Sequence, residues 1–153
     1  MNRSDLGQFM RNHRMAVKAS VSPTGTPQAA VVGIVMTDDL HVFFDTLGAS
    51  RKAQNLRRSP KVAFVIGGPA DGEERTVQYE SVADQPSGEE LKHLKELYFS
   101  RFPEGRERER WPGLTYVRVQ PIWIRYSDYS CTPPEIIEFD FGDSGHMVQL
   151  VQP

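Results

Sequence analysis

The chain has 153 residues, 39% apolar and 25% charged, with 18 basic against 20 acidic side chains. That length suits one domain over residues 1–153, able to bury a core without staples. A net charge of −2 lacks the positive surplus that nucleic-acid and membrane binders carry, so neither partner is expected.

Cys131 is the single cysteine and cannot form an internal disulfide, which points to a reducing compartment. Lying in SCTPPE, far in sequence from any histidine, it reads as a spectator thiol. The opening MNRSDLGQFMRNHRM holds no apolar run long enough for a signal peptide. No stretch approaches the roughly 18 apolar residues of a membrane span. A cytoplasmic protein is expected.

In chain order, Asp5 to Asn12 reads as a short helix, with Leu6, Phe9 and Met10 on one face and Ser4 as N-cap. Met15 to Val21 alternates weakly and is predicted as a strand. SPTGTP (Ser22 to Pro27) is a turn. Gln28 to Met36 is a valine-rich run that fits one strand covered on both faces. TDDL reverses the chain into a strand over His41 to Phe44. TLGAS is a loop, and Ser50 can cap a helix to about Arg57 in which Ala53 and Leu56 face inward; Pro60 ends it.

KVAFVI (Lys61 to Ile66) is a strand, GGPADGEE a loop, and Arg75 to Ala83 an alternating strand. Ser87 to Ser100 places Leu91, Leu94, Leu97 and Tyr98 at helical spacing. Arg101 to Gly113 is a charged loop whose Trp111 reads as a loop anchor, with a lid over a ligand as the rival reading. Leu114 to Ser127 is a long strand, broken or bulged at Pro121. Residues 130–153 read as an irregular tail. Together these predict a mainly β fold, a mostly antiparallel barrel of about six strands with flanking helices.

The chemistry concentrates in HVFFDTLGASRKAQNLRRSPKVAFVI. A strand feeds a loop, and the loop opens a helix whose start carries Ser50, Arg51 and Lys52. Unpaired backbone N–H groups at a helix start attract anions. Arg51 adds a planar fork and Lys52 a compact charge, and Thr46 at the strand end adds a hydroxyl. Basic residues in a first turn oppose the helix dipole, and an anion would remove that conflict. The alternative is a solvated basic face. The chain has neither a Walker motif nor G-x-G-x-x-G, so no P-loop or dinucleotide fold is expected. His13, His41, His93 and His146 show no metal-ligand spacing, and GRERER mixes charge signs like a salt-bridged loop.

Phe44, Thr46, Ser50, Arg51, Lys52, Asn55, Leu56 and Pro60 follow the pattern F-x-T-x-x-x-S-R-K-x-x-N-L, then proline and a K-V-A-F-V strand. From about Phe9 to Ser127 the chain resembles the pyridoxamine 5'-phosphate oxidase-like family, the FMN-binding split barrels. The resemblance implies an FMN phosphate held by Thr46, Ser50, Arg51 and Lys52. It implies that Ala30, Val31 and Val32 lie along the flavin ring, and that Thr76 or Gln78 reaches flavin from a second subunit. Trp123 and Arg125, two apart on the last strand, are implied near the ring as well; the alternative is a core tryptophan and an Arg125 paired with Asp128 or a glutamate. A homodimer with the cofactor at its interface follows, with apolar strand edges covered.

True pyridoxamine-phosphate oxidases end in a basic R-x-H motif. The tail EFDFGDSGHMVQLVQP has no arginine, so vitamin B6 oxidation is not expected. The expected function is an FMN-dependent oxidoreductase of a small molecule, with no catalytic residue assigned, since the flavin carries the chemistry. The alternative is a non-catalytic carrier of flavin, deazaflavin or haem; the SRKAQNLRRSPKVA stretch also resembles the deazaflavin-using branch.

Overall fold

The computed structural model describes residues 1–68, 73–143 and 145–150. Its strands are β1 (Met15–Val21), β2 (Pro27–Gly33), β3 (Val35–Met36), β4 (Val42–Leu47), β5 (Lys61–Gly67), β6 (Arg75–Asp84), β7 (Leu114–Asp128), β8 (Glu135–Asp140) and β9 (Val148–Leu150). The helices are α1 (Arg3–Arg11), α2 (Arg51–Arg58), α3 (Gly88–Arg101) and α4 (Gly105–Arg108). The strands form one sheet in the order β2-β1-β5-β6-β7-β4-β3, and β8 joins β7 and then β9. Every pairing is antiparallel. β7 is 15 residues long; its first part carries β4 and its second part β8, which closes the sheet into a split barrel.

Alternation explains the core. Ala16, Phe64, Ile66, Val77, Tyr79, Ile124 and Tyr126 point inward and meet Val42, Phe44 and Val119, and Leu6, Phe9 and Met10 of α1 pack against them. Phe43 points the other way, into a second cluster with Val35 and with Leu94, Tyr98, Phe99 and Phe102 of and after α3. Opposite burial of adjacent phenylalanines is why β4 carries a continuous apolar run. Tyr98 donates to Asp45 at 3.0 Å, and Arg108 donates to the same carboxylate at 3.1 Å, fastening α3 and α4 to β4.

Several expectations are corrected. The structure describes nine strands rather than about six. The difference comes from two places. Residues 130–153 contain β8 and β9, because Ile137 and Phe139 alternate inward over β7. The Gln28–Met36 run breaks at Ile34, whose N–H bonds Arg14 instead of a strand partner at 2.9 Å. Nor is that run covered on both faces: Val31 is 64% exposed, since none of the described residues packs over it on the outer side of β2. The N-cap of α1 is Asn2, not Ser4, because Asn2 and Asp5 bond reciprocally in a capping box, each at 3.0 Å. Trp111 is 52% exposed, and its backbone hydrogen bonds to Arg108 and Leu114 within the loop. The charged loop holds the short α4. The bulge at Pro121 is present: Glu80 faces Trp123 and Ser81 faces Pro121, leaving Ile122 as the extra residue.

The outer face of the sheet is laid out in cross-strand rows. One runs Val31, Val17, Val65, Gln78, Arg125, Glu138. The next runs Ala29, Ala19, Ala63, Glu80, Trp123, Asp140. The β2-β1-β5 side of both rows is apolar and the β6-β7-β8 side is polar or aromatic.

Candidate functional site

α2 follows β4 through a tight loop and lies against β1. Its start is built as the sequence suggested. Ser50 is the N-cap, and its Oγ accepts from Ala53 N–H at 3.3 Å. Thr46, buried at the end of β4, shares a hydrogen bond with Ser50 Oγ at 3.1 Å. Ala53 and Leu56 turn toward the core. Asn55 also turns inward, and its Nδ2 donates to Ser20 Oγ at 3.1 Å and to Gln28 Oε1 at 2.9 Å. That pair of bonds ties α2 to β1 and β2 together.

The tie leaves a cavity of about 200 Å³ between the helix start and the two strands. Ser50, Arg51 and Lys52 line it from α2, Lys18 and Ser20 from β1, and Gln28, Ala29 and Ala30 from β2. Among these residues three are cationic and none is a carboxylate. The backbone N–H groups of Arg51 and Lys52 have no carbonyl one turn back, so the helix adds positive potential to the side-chain charge. Lys18 is buried, and its Nζ donates to Ser20 Oγ at 3.2 Å. Burial first, and the neighbouring Lys52 second, push its ammonium down to about 8. The arrangement is a concave, cation-lined cavity whose charge favours an anion.

Thr46 does not line the cavity; it orients Ser50. Ala30 lines it, Val32 points into the core and Val31 points outward, so these three do not share a face. Thr76, Gln78, Trp123 and Arg125 all lie on the outer face of β6 and β7. Within one chain the structure does not bring them to the cavity. Arg125 pairs with Glu138 at 3.8 Å, the glutamate alternative of the sequence reading, and its Nε is buried without a hydrogen bond.

Four lining residues were not singled out from sequence: Lys18, Ser20, Gln28 and Ala29. The available signal was the inward parity of Ala16, Lys18 and Ser20 on β1, where a charged residue occupies an apolar position.

This fold is a split barrel with a basic helix start facing a strand pair. Residues 5–128 match the family described as pyridoxamine 5'-phosphate oxidase, and the chain belongs to that family. No curated protein matches it in sequence. Solved structures with the same fold include a pyridoxamine 5'-phosphate oxidase-related, FMN-binding protein from Nostoc punctiforme. It is 13% identical with a TM-score of 0.71, over 99% of this chain and 93% of that one. The conserved hypothetical protein Rv2991 from Mycobacterium tuberculosis is 23% identical with a TM-score of 0.70, over 84% and 86%. A heme binding protein from Mycobacterium smegmatis is 13% identical with a TM-score of 0.75; this chain is covered over 99% and spans 58% of that one. No helix among the described residues is long and apolar enough to cross a membrane.

Proposed function

We propose that this chain binds flavin mononucleotide, with the phosphate in the cavity at the start of α2, and works as a homodimer that serves as a flavin-dependent oxidoreductase of a small molecule. The observation that carries this reading is the cavity itself: Lys18, Arg51 and Lys52 converge on one space that no lining carboxylate among the described residues neutralises. Ser50 and the N–H groups of the first turn of α2 would complete the hold on the phosphate oxygens. Ala29 and Ala30 leave room for a flat ring beside it. The bound flavin would supply hydride or electron transfer, and the protein's part is to place and shield it.

Thr76, Gln78, Trp123 and Arg125 belong in this proposal as contacts from the second copy. They share the outer face with the apolar row Val31, Val17 and Val65. A second copy seated on that row would cover the apolar part and bring the polar part to the ring. The Arg125 Nε, 3.8 Å from the Glu138 carboxylate and buried without a hydrogen bond, is a donor suited to that role.

The family's fold also holds haem in some relatives, as the Mycobacterium smegmatis protein shows by name. Here none of His13, His41, His93 or His146 lines the cavity, so at this place a haem iron would find no imidazole. Titration of FMN into the purified protein, read by quenching of flavin fluorescence, tests the reading. Saturable quenching that riboflavin fails to match is expected, because the phosphate carries the affinity. Absence of quenching, with haem bound in its place, would reject it.

A further inference from the structure

One group in the cavity has no place in the motif at the start of α2. Lys18 is only 1% exposed, and an ammonium is seldom so buried without a carboxylate beside it. It stands on the inward face of β1, between Ala30 of β2 and Phe64 of β5. An ammonium has three N–H donors, and one of them is taken by Ser20 Oγ at 3.2 Å. Among the described residues, the charged groups that share the cavity with it are Arg51 and Lys52 of α2, both of its own sign; from β2 it meets the neutral Gln28. Burying a third cation beside two others costs stability unless a ligand returns the energy.

The ligand that returns most is the one with most charge. A phosphate monoester carries close to two negative charges near pH 7 and offers three acceptor oxygens. A diester or a carboxylate carries one charge. We propose that Lys18 is the selectivity element of the cradle, matching it to the doubly charged phosphate of a monoester in preference to a diester or a carboxylate. The proposal rests on the anion-cradle reading above and assigns it a ligand class. A second consequence is a dependence on pH. With the cavity empty the ammonium titrates at about 8, and only its charged form attracts the phosphate, so affinity falls as pH rises beyond that value.

Calorimetric titration of wild type, Lys18→Met and Lys18→Arg with FMN, FAD and riboflavin tests this. Inorganic phosphate, read by thermal shift, is the flavin-free probe. Lys18→Met is expected to lose roughly ten- to a hundredfold in FMN affinity, the worth of one charged hydrogen bond, and to lose the thermal shift given by phosphate. Its preference for FMN over FAD shrinks by the same factor, while riboflavin binding stays unchanged. Wild-type FMN affinity falls between pH 7 and 9.5. Lys18→Arg keeps the affinity and loses that fall, because guanidinium stays charged. If Lys18→Met retains the FMN affinity, the preference over FAD and the fall with pH, the assignment of Lys18 is overturned and the flavin reading stands. If wild type ignores flavin but phosphate stabilises it through Lys18, the flavin reading falls and the assignment stands. If neither flavin nor phosphate binds, both fall. Should Lys18→Met fail to fold, a flat wild-type pH profile still overturns the proposal and a falling one that Lys18→Arg abolishes supports it.

Discussion

A buried lysine among cations has a thermodynamic consequence that needs no ligand to detect. In the unfolded chain the Lys18 ammonium titrates near 10.5, and in the fold at about 8. Below the lower value both states are charged and the full penalty of burying the charge is present. Between the two values the unfolded chain binds more protons, so stability rises with pH across that window. Lys18→Met removes the charge and keeps an unbranched stem of similar length. It is expected to stabilise the ligand-free protein at pH 7 by up to about 3 kcal/mol, and to flatten the rise between about pH 8 and 10. Urea unfolding at pH 7 and pH 9.5 checks both. An unchanged slope between the two would mean the ammonium reaches water in the folded state. The variant that gains stability is the one expected to lose affinity, as at sites where function keeps an unfavourable group.

At the scale of elements, the parts of the site written in one continuous stretch were legible and the parts that need register were not. Ser50, Arg51 and Lys52 follow one another, and a cap with two cations raises an anion site, beside a solvated basic face, without knowledge of the fold. Lys18 and Gln28 lie on separate strands, and their meeting depends on the β1–β2 pairing that sets Ser20 against Gln28 and on Asn55 reaching both. The same divide runs through the strands. β6 announces itself by alternation, β1 by a weaker one and β5 by its apolar run, while the break between β2 and β3 is imposed from outside. Gly33 ends β2 where the Phe102 ring, just past α3, lies over it: a Cβ there would stand 2.9 Å from the ring. No local pattern predicts a ring supplied from so far along the chain. Gly33→Ala is therefore expected to push Phe102 off the strand and cost about 1–3 kcal/mol, read as a lowered urea midpoint. Gly25→Ala, where open space surrounds the position but φ is +84°, costs through backbone strain alone, about 1 kcal/mol.

At the scale of the whole molecule, the outer face decides whether one chain suffices. Met15, Val17, Val21, Val31, Val65 and Ile122 are each more than two-fifths exposed, and Val31, Val17 and Val65 are cross-strand neighbours in one row. Scattered surface valines need no explanation, but a row of them across three strands, flanked by the alanines of the next row, is a surface that water covers at a cost. The homodimer proposed above would cover it. Val65 is the informative position because it sits at the centre of that row, directly between Val17 and Gln78, and its side chain supports nothing inside the barrel. Val65→Asp leaves the core untouched and places one unpaired carboxylate per copy in the proposed interface, where burial of charge is strongly unfavourable. Sedimentation velocity is expected to show a dimer for wild type and a monomer for the variant, with the far-ultraviolet circular dichroism of the two superimposable. Loss of FMN affinity together with the dimer would tie Thr76, Gln78, Trp123 and Arg125 to the second copy's site. Retention of full affinity by the monomer would mean that the cavity between α2, β1 and β2 holds its ligand unaided, and that the outer face serves some other contact.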